Sequence, residues 1–278
     1  MAAIADLSAL VNRLTGGNSG TPENLDFFKT SRIAGTADVA PIVGRLSSMW
    51  KWDGWPNPGG ATPGAVAVPT RATAGALAQT NPGGGREKWL VGGGATGLVA
   101  GTIILYDRLL HIGGLSGTTT TAQTVGGTLT RNTGGVGNQI WVEIYTQIGA
   151  TSTTITGSYT DDAGNAGNTT TAVAFGNTGF REVSRIIKLP LAAGDRGVQA
   201  VASVTVLATT GTAGNFGVTV ARPLAYFQVT QAGLGPWSSM IDGAPIPEID
   251  TDACLAMVWV PATTTGPEIH GMLTMLEA

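Results

Sequence analysis

Cysteine and charged side chains are both scarce in this chain. Cys254 is the only cysteine among 278 residues, which excludes an intramolecular disulfide and any zinc site built on cysteines. Lys, Arg, Asp and Glu make up 12% of the residues, and the formal net charge is −3. Because nucleic-acid binding usually requires a basic cluster and none is present, we expect no direct contact with nucleic acid.

Long apolar runs are also missing. The longest, near residues 97–106, is far shorter than the roughly 20 residues of a membrane helix. The N-terminus has no basic region followed by an apolar core. We therefore expect no membrane partner and no secretory signal, and a soluble chain that is made in the cytoplasm.

Glycine and small apolar residues are abundant instead. The chain has 42 glycines and 14 prolines, and 42% of its residues are hydrophobic. This content is too apolar for a disordered chain. A surface with few charges and many small residues favours packing against neighbouring subunits.

Residues 139–175 carry the clearest strand pattern. Aliphatic and mixed residues alternate along its first part: Ile140, Val142, Ile144 and Ile148 on one side, and Trp141, Glu143, Tyr145 and Gln147 on the other. This alternation predicts a strand with one aliphatic and one mixed face. The Asp, Asn and Gly residues of 161–168 predict a connection between antiparallel strands. A second β unit is predicted over 198–220.

Further strands are predicted over 98–110, over 222–229, where Pro223 favours an edge or a bulge, and as a final antiparallel pair at 253–260 and 269–276. Several short strands separated by turn residues are typical of a sandwich, a jelly roll or a barrel. We therefore expect an all-β protein, with an antiparallel β-sandwich or jelly roll over residues 98–278. An N-terminal arm with one or two short helices would precede this domain.

The arm begins with an amphipathic pattern over residues 2–14. Apolar residues recur there at helical spacing: Ile4, Leu7, Val11 and Leu14. So short a helix is marginal alone, and we expect it to dock on its own domain or on a partner subunit. A second short helix is predicted from Thr21 as the N-cap and Pro22 at the first helical position. Both helices belong to a predicted helical arm, residues 1–34.

Residues 35–97 show little regular pattern because Gly and Pro recur throughout. Trp50, Trp52 and Trp55 fall close together here, and three indoles argue against disorder. We predict an extended loop or arm whose tryptophans pack into an apolar pocket, either within the chain or on a neighbouring subunit. Stacking on sugar rings, as in carbohydrate-binding β-sandwiches, is the alternative use of these side chains.

Three short motifs suggest chemistry that their surroundings do not support. Residues 92–97 satisfy G-x-G-x-x-G, but strand-like sequence follows where a dinucleotide site needs a helix. Residues 114–117 approach a nucleophile motif, but neither His111 nor His270 has triad spacing. Residues 161–168 offer oxygen ligands without the pattern of an EF-hand. We therefore expect no catalytic residue, no cofactor, no metal site and no enzymatic activity.

Several segments resemble stretches of virion structural proteins of tailed bacteriophages. They are LYDRL at 105–109 running into GGLSG at 113–117, SYTDDAGN at 158–165, and GDRGV at 194–198 running into TGTAG at 210–214. The resemblance covers about residues 100–225. It implies a shell component, or a protein that decorates a shell, present in many copies and without catalytic residues.

The expected function is that of a phage capsid auxiliary, cement or decoration protein that binds across shell subunits of the virion. Its partners would be the major capsid protein and copies of itself, and a trimer would suit the three-fold sites of shells. The expected interface residues are Ile4, Leu7, Val11, Leu14, Trp50, Trp52 and Trp55. The alternatives are a tail or baseplate protein and a carbohydrate-binding module.

Overall fold

The computed structural model describes residues 7–14, 22–33, 39–60, 62–240 and 246–277. These ranges contain the helix α1 (Leu7–Leu14) and the strands β1 (Pro22–Ile33), β2 (Leu46–Ser48), β3 (Trp52–Trp55), β4 (Lys88–Gly97), β5 (Gly101–Leu115), β6 (Gln123–Thr124), β7 (Gln139–Thr146), β8 (Thr153–Asp161), β9 (Asn168–Thr169), β10 (Val173–Phe175), β11 (Arg185–Leu189), β12 (Val198–Val206), β13 (Asn215–Val229), β14 (Ser238–Ser239), β15 (Leu255–Pro261) and β16 (Glu268–Glu277). Within them, no helix is long and apolar enough to cross a membrane.

Six strands close into an antiparallel barrel at the centre of the molecule, in the order β11-β2-β15-β5-β13-β7. Its longest members, β5 and β13, have 15 residues each and pair along their length. Their register shifts at three places, one of them between Pro223 and Ala225. Such bulges bend the strands, which helps a small barrel to close. Of the edge or bulge that Pro223 was expected to favour, the structure has the bulge, within a strand that has a neighbour on each side.

The barrel interior is filled by side chains from all six strands. Its apolar part is one cluster that includes Leu46, Ile104, Tyr106, Trp141, Ile186, Ala221, Ala256 and Val258. Along β7, the mixed face points into this interior and the aliphatic face points outwards. The two-faced strand predicted from residue alternation is therefore confirmed.

A smaller sheet covers the outer wall formed by β7 and β13. Its order is β10-β8-β12-β6, and β9 pairs with β8. The two layers share one core, in which Ile140, Val142 and Val218 pack with Ile155 and Val204. The connection predicted at 161–168 joins β8 to β9, which pair antiparallel, so that prediction is also confirmed.

The larger of the two sheets covers the opposite wall, in the order β14-β4-β16-β1-β3, and we call it the five-stranded sheet. Its inner face packs on β15, β5 and β13, with Phe27 and Leu273 of the sheet in the same cluster as Leu105, Phe227 and Trp259 of the barrel. Face-to-face packing of this kind is how β-sandwich layers associate. The structure confirms an all-β, antiparallel fold. Of the architectures that the strand pattern allows, it contains a closed barrel between two packed sheets, whereas we expected a sandwich or jelly roll.

The structure corrects the second helix of the predicted arm. Residues from Pro22 onward form strand β1, which pairs with β16 on one side and β3 on the other. Inward Phe27 and Lys29 alternate with outward Asp26 and Phe28, which is the period of a strand. The helix α1 lies within the 2–14 range predicted as helical, and residues 1–6 lie outside the described part of the chain.

The pairing predicted for the last two strands is wrong. Strand β15 belongs to the barrel, between β2 and β5, and β16 belongs to the five-stranded sheet, between β4 and β1. Both strands are central, so each has two neighbours from distant parts of the chain. The 35–97 segment, expected to be a loop or arm, contributes β2 to the barrel and β3 and β4 to the sheet.

Candidate functional site

The predicted interface residues of the helix are only partly described. Ile4 lies outside the described residues, as do the side chains of Leu7 and Leu14. Val11 is 48% exposed on α1, which lies next to β16.

Two of the three grouped tryptophans are buried inside the chain itself. Trp52 is completely buried in the core between the five-stranded sheet and the barrel. Trp50 packs with the barrel-interior cluster, and its ring lies 4.6 Å from the guanidinium carbon of Arg108. Gly59 and Gly75 lie against the Trp50 ring so closely that a side chain at either position would collide with it or with the neighbouring backbone. Each of these two indoles therefore packs in an apolar core of its own chain, which was one of the two arrangements expected.

Trp55 and Trp237 are the large aromatic side chains of the five-stranded sheet that face solvent. Trp55 is 63% exposed at the end of β3, and Trp237 is 51% exposed just before β14. Sequence reasoning missed Trp237 because it stands alone in a Pro-rich connection. Nothing in that connection predicts that it returns to lie over β4.

Cross-strand pairing aligns the outer side chains of this sheet in two rows. Directly paired residues of neighbouring strands share a face. The first row consists of Trp55, Phe28, His270 and Thr96, and the second of Asp26, Met272 and Gly94. The rings of Phe28 and His270 are 4.4 Å apart. We call this surface the outer face.

Two hollows open on the outer face. The first, the Trp237 hollow, has a volume of about 460 Å³ and is lined by Asp26, Phe27, Gly94, Ala95, Thr96, Gly235, Trp237, His270, Gly271 and Met272. The second, the Trp55 hollow, has a volume of about 490 Å³ and lies beside Trp55, Asn57 and Arg71. Asp26 borders both hollows.

Glycines of β4 provide a seat for the Trp237 indole. A Cβ atom added to Gly92 would lie 2.8 Å from Cζ2 of Trp237, and one added to Gly94 would lie 3.5 Å from its Cε3. Strand β14 holds the adjoining backbone by pairing Ser238 with Gly93. One side of the ring is therefore fixed against the sheet, and its exposed part borders the hollow.

The barrel interior holds a buried polar cluster around Arg108. Its guanidinium donates hydrogen bonds to the Tyr106 hydroxyl, the Glu143 carboxylate (2.7 Å), the Tyr145 hydroxyl (2.8 Å) and Nδ1 of His111 (2.9 Å). Tyr145 in turn donates to Glu143 at 3.1 Å. All five side chains are largely or completely buried. Each of the five side chains has a hydrogen-bond partner within the chain, and Oε1 of Glu143 is the atom of that carboxylate left without one among the described residues. The cluster therefore stabilises and orients the barrel strands that carry it.

The cluster favours the charged forms of both Arg108 and Glu143. Burial is the largest single influence on Glu143 and alone would raise its pKa, but the charge of Arg108 and the hydrogen bonds that the carboxylate accepts together outweigh it and lower that pKa. Burial and the neighbouring Glu143 raise the pKa of Tyr145 well above its usual value. Burial and then Arg108 lower the pKa of His111 to about 4. Because Arg108 donates to Nδ1, His111 is neutral and carries its proton on Nε2.

The folded state should lose stability between about pH 6.5 and pH 4. His111 of the unfolded chain takes up its proton near pH 6.5, whereas the folded chain binds it only near pH 4. The unfolded state therefore binds more protons in this window, and the loss approaches about 3 kcal/mol at its lower end. Urea unfolding at steps of half a pH unit measures this loss of stability.

The matched control is His111→Gln, whose amide oxygen can still accept the Arg108 hydrogen bond. This variant should show a flatter pH dependence over the same window. Below pH 4.5, the ordinary pKa of Glu143, this variant should still lose stability as the pH falls. The reason is that Glu143 has a lowered pKa in the folded state, so the unfolded chain binds this proton first. An unchanged slope in His111→Gln would show that His111 does not cause the effect.

The 161–168 connection is a hydrogen-bonded turn. Both carboxylate oxygens of Asp161 accept N–H groups, from Ala163, Asn165 and Asn168. Residues 92–97 lie within β4, with no helix after them. Across the described ranges, no group of three or more His, Cys, Asp or Glu residues could hold a metal ion.

Comparisons with known proteins give little similarity. No protein-family model matches the chain, and no curated protein matches it. Two solved chains of infectious bursal disease virus are weakly similar at 8% identity. One comes from the structure of the Gt strain, with a TM-score of 0.19 over 92% of this chain and 79% of the other. The second is the VP2 subviral particle, with a TM-score of 0.15 over 93% and 79%. Scores this low do not establish a shared fold.

Proposed function

We propose that this protein is a non-enzymatic structural component of a phage virion, a capsid auxiliary, cement or decoration protein that binds across shell subunits. Its partners are the major capsid protein and further copies of itself. The resemblance of residues 100–225 to virion structural proteins motivates the proposal. The observation that carries it is the exposed Trp55 beside a hollow at the β3 edge of the five-stranded sheet.

Trp55 and its hollow have the features of a protein contact. A tryptophan that is 63% exposed offers a large apolar surface, and the Trp55 hollow could receive a side chain of the shell in return. Asn57 and Arg71 supply polar groups at the hollow. Buried aromatic anchors surrounded by polar groups dominate the energetics of most protein interfaces. Trp52, in contrast, is not available for such a contact.

Replacing Trp55 with alanine should weaken attachment to shells while the chain remains folded. Loss of one aromatic anchor typically costs 2 kcal/mol or more, which corresponds to about thirtyfold in affinity. The measurement is cosedimentation of the purified variant with shells that lack the protein. Tyr226→Ala is the control, because Tyr226 is 54% exposed and borders neither hollow. Equal binding by Trp55→Ala and the unaltered chain would contradict this contact.

A further inference from the structure

We propose that the Trp237 hollow binds a neutral pyranose, for example the terminal sugar of a cell-surface glycan. This goes beyond the proposed structural role, because it gives the same sheet a second ligand at a different place. Trp50 and Trp52, which the sequence offered for sugar stacking, are buried and cannot serve. We assign the stacking on a sugar ring to Trp237 instead.

The first argument is the position of the Trp237 ring. The seat formed by Gly92 and Gly94 fixes the indole against the sheet, so a ligand need not order it. The ring nevertheless remains 51% exposed at the edge of the hollow. A fixed aromatic plane suits the apolar C–H face of a pyranose, and tryptophan combines this plane with an N–H donor.

The second argument is the set of polar groups around the same hollow. Asp26, Thr96 and His270 are exposed there, and no side-chain hydrogen bond or ion pair joins any of them to another described residue. The Phe28 ring supports His270 at 4.4 Å. A carboxylate accepts hydrogen bonds, whereas a hydroxyl and a neutral imidazole both donate and accept. Sugar hydroxyls do both as well, so the groups are complementary.

The charge and size of the hollow define the ligand class. Among the described residues, Asp26 and His270 are the only ionisable ones that line it, and no lysine or arginine of these ranges does. A phosphate or an acidic sugar would meet the Asp26 carboxylate without a fixed cation to offset the repulsion, which favours a neutral ligand. The volume of about 460 Å³ lies in the range of small-molecule sites.

The test is calorimetric titration of the purified full chain with glucose, galactose, mannose, N-acetylglucosamine and their disaccharides. At least one sugar should bind, and Trp237→Ala should lower its association constant about tenfold or more, with Asp26→Ala weakening it as well. Gly92→Ala retains the indole but displaces its seat, and it should also weaken binding. Trp55→Ala is the matched control and should bind sugar as the unaltered chain does.

Absence of binding by every sugar overturns the proposal. So does unchanged binding in a folded Trp237→Ala variant, and so does a preference for phosphorylated or acidic sugars. If Trp237→Ala loses affinity for shells and no sugar binds, the hollow is a protein contact. Since titration uses the isolated chain, its result does not depend on whether the protein is found in virions.

Discussion

Replacing Arg108 with alanine is expected to lower the free energy of unfolding by about 3–5 kcal/mol, because it leaves a buried carboxylate without its partner. Arg108 and Glu143 are both completely enclosed in the barrel, with 2.7 Å between the guanidinium nitrogen and the carboxylate oxygen. The substitution also removes the guanidinium that donates hydrogen bonds to His111, Tyr106 and Tyr145. Urea unfolding followed by tryptophan fluorescence measures the loss.

Two comparisons isolate the cause of this loss. In Arg108→Met/Glu143→Leu, both charges are replaced by apolar side chains, so much of the stability should return. Arg196→Ala removes a surface ion pair with Asp162, in which the Arg196 side chain is 74% exposed, and should cost less than about 1 kcal/mol. An Arg108→Ala variant as stable as Arg196→Ala would show that the buried pair does not stabilise the barrel.

Replacing Trp52 with alanine should also cost about 3–5 kcal/mol, because it opens a large cavity in a close-packed core. Trp52 is completely buried among Phe27, Met49 and Trp259. Its indole nitrogen has no hydrogen-bond partner, so the expected loss comes from packing alone. The same unfolding measurement applies.

Trp55→Ala is the matched control, since it removes the same type of side chain from an exposed site three positions further along β3. It should change stability by no more than about 0.5 kcal/mol. If Trp52→Ala and Trp55→Ala were equally stable, the described core would be incorrect.

Local pattern predicted those parts of the fold that depend on neighbouring residues. The alternation from Ile140 to Tyr145 defines both faces of β7 because side chains of a strand alternate whatever lies beyond it. Pro223 predicts a break in pairing because proline has no N–H to donate. The turn after Asp161 follows from its Asp, Asn and Gly residues. Each of these signals is contained within a few residues.

Long-range pairing could not be predicted in the same way. Strand β4 passes through Gly92, Gly93 and Gly94, which have no side chains to show alternation, although they pair with β16. Thr21 and Pro22 give a plausible helix start, but the tertiary pairing of β1 with β16 overrides that local preference. Closure of the barrel joins strands from both ends of the chain.

The candidate site also combines features that local sequence predicts with features that depend on long-range strand pairing. Trp55 could be found from the sequence, whereas the outer face that joins it to His270 and Asp26 depends on three long-range strand pairs. Within LYDRL, the two charged residues are buried in ion pairs: Arg108 with Glu143, and Asp107 with Arg131. That segment therefore reflects how the barrel is built. Its charges are not exposed for contact with a partner.

The most direct test of the virion assignment is mass spectrometry of a density gradient of the source material. We expect this chain in full and empty heads at a near-stoichiometric ratio to the most abundant shell protein. Its absence from particles, or its presence only with tails or at a few copies per particle, would contradict a shell-binding role.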